Sequence, residues 1–213
     1  MKFTNAYKGL RFINISEMLN IGSMVVYIAF ATMIITLSGG NISTAAIQTV
    51  YEAGNGSTMN ILNYIMQALS FASYIMMIVG INKAKTDDKN FDSAFSFACI
   101  GIVMVVIHLF SGGWFRVLLS AVLGILFLLF RLRIISAVEN IAHSLENTDM
   151  SGKAKIFSVI FIIFTVISVI FNVVNQAVPD VSILVAGISN IFGIIKSIIF
   201  IAYLTKALKM LKE

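Results

Sequence analysis

Long apolar runs separated by short polar breaks set the pattern of this 213-residue chain. A membrane-spanning helix takes roughly 20 predominantly apolar residues. Six stretches meet that length, at approximately 15–38, 61–81, 93–111, 114–133, 155–177 and 182–204. The run after Trp114 shows the unit clearly. Val117 to Phe130 is almost wholly apolar, Arg131 and Arg133 close it, and an amphipathic stretch from Ile134 to Asn147 leads to the next run at Lys155. The pattern predicts an all-α fold, a polytopic membrane protein built as one bundle of six transmembrane helices. Two shorter segments, 44–53 and 134–147, are expected as interfacial helices. In the first, Ser43 is placed as N-cap and Gly54 as C-cap, with Ala46, Ile47, Val50 and Tyr51 along one face.

The breaks between runs refine this picture. Ser111-Gly112-Gly113 and Val178-Pro179-Asp180 are so short that each forces an antiparallel helical hairpin, and Pro179, the single proline, falls where a helix must stop and restart. Asp92 is placed to cap the third span. Phe91 to Val105 weakly resembles Phe12 to Val26, and Ile134, Val138, Ile141 recurs as Leu204, Leu208, Leu211. Three hairpin repeats would fit that resemblance, of a kind common in transporters.

Composition supports the membrane reading: 59% of residues are hydrophobic and 12% charged, too apolar for a solvated surface. The net charge of +5 does not indicate nucleic acid, because the 15 Lys and Arg are scattered between apolar runs without a dense patch. Their placement follows topology instead. With the amino terminus inside, Lys2, Lys8, Arg11, Lys83, Lys85, Lys89, Arg131, Arg133, Lys153, Lys155, Lys206, Lys209 and Lys212 all fall on the inner side. Both termini are thus expected in the cytoplasm. The first run, Ile21 to Leu37, exceeds the ~7–15 residues of a signal-peptide core and reads as a retained span. Low proline and Ile-rich spans fit a bacterial plasma membrane.

Candidate chemistry is sparse. The lone Cys99 forms no intrachain disulfide, and two histidines with one cysteine give no metal-ligand spacing. The sequence contains no His-Glu-x-x-His helix, Gly-x-Ser-x-Gly elbow or phosphate-binding Gly-rich loop, so neither an enzyme nor a cofactor is expected. Asn41 and Asn55 match the glycosylation sequon in an Asn- and Ser-rich loop where such matches arise by chance.

Polar residues within the spans carry the functional expectation, because each needs a partner at that depth. Asn60, Asn63, Gln67, Ser70 and Tyr74 form one stripe on the second span, and Ser158, Thr165, Ser168, Asn172 and Asn175 form another on the fifth. Arg116, Ser120 and Gly124 share a face of the fourth. Asn63, Gln67, Arg116, Asn172, Asn175, His108 and Asp180 are expected to converge on an outward-facing cavity that binds a small-molecule solute. The alternative is plain interhelical hydrogen bonding. On the first span Glu17, Asn20, Met24 and Tyr27 share a face, and Glu17 is expected to pair with Lys196 of the sixth. These features lead to two expectations for function. One is solute binding or transport, with an energising protein partner in the membrane or cytoplasm, and it requires a cavity. The other is a scaffold or accessory protein that docks a cytoplasmic partner or anionic lipid through 134–147 and the basic tail, and it requires a filled bundle.

Overall fold

A chain surrounded by lipid must satisfy its backbone polar groups within each segment, and helices do this residue by residue. In the computed structural model of the chain, residues 2–40, 48–50, 52, 56–177 and 182–212 are described, with side chains at all of them except 109, 172, 175–177 and 182–184. Six long helices account for nearly all of these: α1 (Thr4–Leu37), α2 (Gly56–Ala84), α3 (Lys89–Leu109), α4 (Gly113–Ser144), α5 (Thr148–Ala177) and α6 (Ser182–Lys212). Each is long and apolar enough to cross a membrane, and no strand occurs among the described residues. The chain is an all-α, multi-pass membrane protein.

Each helix overruns its apolar run at the end marked by the basic residues. α1 begins at Thr4, α2 continues to Ala84, α4 to Ser144 and α6 to Lys212. At 1.5 Å per residue the 34 residues of α1 span about 51 Å, well beyond the roughly 30 Å of bilayer hydrocarbon. The overhang and the adjoining turns of the spans form the core of the protein. Ala6, Leu10, Ile13, Ile81, Ala84, Phe91, Ala94, Ile134, Ile135, Val138, Ile141, Ala154, Tyr203, Leu204 and Ala207 are all buried there in one cluster. The segment 134–147 is therefore helical for most of its length as expected, but it prolongs α4 instead of lying on the membrane surface. Its stripe Ile134, Val138, Ile141 faces the core. Hydrogen bonds fix it there: Asn140 donates to Asp88 Oδ2 (3.0 Å) and Arg133 Nη1 to Asn90 Oδ1 (3.4 Å).

Helices adjacent in sequence are adjacent in space, and α6 returns to pack on α1, so the six form a closed ring. The α1–α2 seam is the most extensive and the α2–α3 seam the least. Glycine explains the first. A Cβ on Gly9 would lie 2.4 Å from the Gly80 carbonyl oxygen, and one on Gly80 would lie 2.7 Å from that of Gly9. The two backbones cross in contact, as small residues allow in membrane helices. Further out, Ser73 donates to the Ser16 carbonyl (2.9 Å) and Ser23 meets Ser70 (2.6 Å).

Connections at the basic end cap the helices. The backbone N–H of Ala6, one of the four left unpaired by a helix start, donates to Asp87 Oδ2 at 2.7 Å. Asp88 is the N-cap of α3, accepting from Asn90 N at 2.7 Å. The expected cap, Asp92, lies instead in the first turn, where its charge still opposes the helix dipole favourably. At the opposite end, the interfacial helix expected at 44–53 lies mostly outside the described residues, as do both sequon asparagines and Pro179. Residues 48–50 are helical, and Val50 is buried with Ala31, Ile34 and Met59.

The crossing at Gly9 and Gly80 leaves no room for a side chain. Gly80→Leu is expected to destabilise the detergent-solubilised protein by about 1–3 kcal/mol, the range of overpacked cores. Gly187→Ala, where nothing lies within 4 Å of an added Cβ, is expected to leave the thermal midpoint unchanged or slightly raised. Equal midpoints for Gly80→Leu and wild type would refute the crossing.

Candidate functional site

Beyond the packed end, the ring encloses a polar cavity of about 540 Å³ that all six helices line. α1 contributes Ser16, Glu17, Asn20 and Met24; α2 Ser70, Ser73 and Tyr74; α4 Ser120, Gly124, Phe127 and Arg131; α5 Thr165 and Ser168; and α6 Lys196. α3 adds His108 at the far end, whose Nε2 meets Ser120 Oγ at 2.8 Å.

The floor of the cavity is ionic. Arg131 donates from Nη2 (2.7 Å) and Nε (3.1 Å) to Glu17 Oε1, and Ser197 Oγ donates to Oε2 at 2.7 Å. Asn20 Nδ2 completes the chain by donating to Ser197 Oγ at 3.3 Å. The side chains of Arg131 and Glu17 are 13% and 3% exposed, so this ion pair is nearly desolvated. The guanidinium also lies near the Phe161 and Phe200 rings, 5.9 and 5.8 Å from their centroids, which adds cation–π attraction from α5 and α6.

Lys196 sits beside this pair, half-buried and within electrostatic reach of both Arg131 and Glu17. Among the described residues it makes no hydrogen bond and no ion pair within 4 Å. Both Glu17 oxygens are already occupied. The floor thus carries one carboxylate against two basic side chains, an arrangement suited to an anion.

The structure redistributes the residues expected from sequence. Glu17 and Lys196 line one cavity, but the carboxylate pairs with Arg131, because the fourth span runs past its basic rim and carries Arg131 inward. His108 lines the cavity. Gln67 is exposed in a neighbouring groove, and its Nε2 donates to Asn63 Oδ1 within α2 at 3.3 Å. Arg116 is exposed at the start of α4 and does not line the cavity. Asp180 and the side chains of Asn172 and Asn175 lie outside the described residues. The polar stripes do reach the cavity, through Ser70 and Tyr74 on α2 and Thr165 and Ser168 on α5, while the α2 amides Asn63 and Gln67 do not line it.

Sequence reasoning missed Arg131 as a site residue, taking it for a topology marker. The signal was present: Ser120, Gly124, Phe127 and Arg131 fall three or four apart on one helical face. The site so defined is an open polar chamber in a membrane bundle, with an ion pair and an adjacent lysine at its base. Comparison of the chain with known protein families, characterised proteins and solved structures yields no match.

A buried ion pair broken on one side leaves an uncompensated charge, a change worth roughly 3–5 kcal/mol. Glu17→Gln and Arg131→Met are each expected to destabilise the protein clearly, and the double variant by less than their sum. The coupling should exceed about 1 kcal/mol in a double-mutant cycle read by thermal or denaturant unfolding. The Glu17–Lys196 cycle should give a smaller value. Additive effects for Glu17 and Arg131 would contradict the observed pairing.

Proposed function

We propose that this protein binds a small anionic solute in its central cavity, as a non-enzymatic, transport-related component of a bacterial cytoplasmic membrane. The observation that carries this reading is Lys196 beside a carboxylate whose two oxygens are already bound. A lysine at depth in a bilayer costs about 2.5–3.5 kcal/mol on insertion scales, and an arriving anion offsets that cost. Hydroxyls from Ser16, Ser70, Ser73, Ser120, Thr165 and Ser168 line the walls and supply orienting hydrogen bonds. A scaffold needs a filled bundle, whereas the polar chamber favours solute binding. The positive-inside distribution of Lys and Arg supports a cytoplasmic position for the packed end, with the chamber above it on the outer side. Uptake against a gradient would need a partner, since no nucleotide-binding motif occurs in the sequence.

Thermal unfolding of the purified protein in a nonionic detergent tests this directly, with inorganic phosphate or acetate added at constant ionic strength. At ten times its dissociation constant an anion adds about 1.4 kcal/mol of stability. At least one of the two is expected to raise the midpoint for wild type and for Asn63→Leu, which lies off the cavity. Lys196→Gln should abolish the shift. No shift with either anion, or an equal shift in Lys196→Gln, would sink the proposal.

A further inference from the structure

Soluble anions need an aqueous mouth, but this cavity also has an apolar neighbour on its side. A second hollow of about 1180 Å³ lies along the α2–α3 seam, the loosest in the ring, and its walls are mainly apolar: Phe71, Ile75 and Ile78 from α2, and Ile102, Val105 and Val106 from α3. It shares Asn20, Met24, Ser70, Tyr74 and Phe127 with the polar chamber, so the two spaces adjoin. Tyr74 stands where they join. Its hydroxyl donates to the Ala98 carbonyl at 2.8 Å, tying α2 to α3 at mid-depth, and its ring meets Phe127 edge-on at 6.2 Å. Along the same seam Tyr64 and Phe71 are exposed, at 68% and 69%.

We infer that the ligand is an anionic membrane lipid that enters through the α2–α3 seam, placing its headgroup by Lys196 and Arg131 and its acyl chain along the apolar groove. This inference rests on the anion-binding reading of the chamber and specifies its substrate class. Two complementary environments joined at Tyr74 match the two ends of an amphiphile. The charged floor attracts a phosphate, while the groove presents hydrocarbon to hydrocarbon at the side where lipid is the solvent. A wholly soluble anion would leave the groove without a use, and a neutral lipid would leave Lys196 without a counter-charge.

Native mass spectrometry of the full chain, purified in a maltoside detergent, separates these cases. Phosphatidylglycerol and phosphatidylcholine of matched chains are offered to wild type, Lys196→Gln and the groove-filling Val105→Trp and Ile102→Trp. Inorganic phosphate is tested in parallel by thermal shift. Wild type is expected to retain one phosphatidylglycerol at least tenfold better than phosphatidylcholine. Lys196→Gln should lose that preference, and both tryptophan variants should lose retention by tenfold while keeping the phosphate shift. Equal retention of the two lipids by wild type overturns the inference. So does undiminished retention in both tryptophan variants, or loss of the phosphate shift together with lipid in both. In these outcomes a phosphate or acetate shift abolished by Lys196→Gln leaves the anion site standing; the absence of both shifts in wild type removes that reading as well.

Discussion

A carboxylate placed within a membrane bundle must find a cation, and the position of Glu17 constrains the rest of the structure through that need. Arg131 reaches it from α4 and Ser197 from α6, so one side chain on α1 ties together three helices that do not follow one another in the chain. Two phenylalanines from α5 and α6 flank the guanidinium. Buried pairs of this sort are weak sources of net stability, because desolvation opposes the Coulomb gain. We read the pair as a positional device, which fixes the base of the chamber and holds its fourth helix in register.

The bundle is tight at one end and hollow at the other, for reasons that lie in side-chain size. Toward the basic end, Gly9, Gly80, Ala6, Ala84, Ala94, Ala137 and Ala207 let backbones approach closely, and larger Ile, Leu and Phe fill what remains. Above Glu17 many of the ring-facing positions are small and polar, among them Ser70, Ser120, Gly124, Thr165, Ser168 and Asn20, and they leave the middle open between larger side chains such as Met24 and Phe127. Interhelical hydrogen bonds there join neighbours in the ring, such as Ser23 with Ser70 and His108 with Ser120, and none of these spans the centre. The opening at α2–α3 follows from bulk, since Phe71, Ile75 and Val105 line it where glycine lines the α1–α2 crossing.

Much of this was legible in the residues. Six apolar runs and the placement of Lys and Arg specify the helices and their alternation, because lipid leaves the backbone few choices. Helix ends were less legible: an apolar count stops at the hydrocarbon edge, whereas α4 continues because Ile134, Val138 and Ile141 pack against other overhanging helices. That same continuation hid Arg131, whose charge reads as a rim residue until its position on the face of Ser120 and Gly124 is followed inward. The face of Glu17 and Asn20 was legible, but which cation lay opposite depended on packing between distant segments. The α2 amides Asn63 and Gln67 are conspicuous in sequence yet lie off the chamber, whereas many of its walls carry small hydroxyls, which say little alone.

Binding of a solute from outside requires the polar chamber to be reached by water from the side away from the packed basic end. Thiol labelling measures it most directly. In a Cys99→Ser background, a single cysteine at Ser168, on the chamber wall, is compared with one at Val103, exposed on the outer surface of α3. A charged, membrane-impermeant methanethiosulfonate applied to intact cells is expected to modify Ser168→Cys and to spare Val103→Cys. No modification of Ser168→Cys, or modification only from the cytoplasmic side of inverted vesicles, would contradict the account.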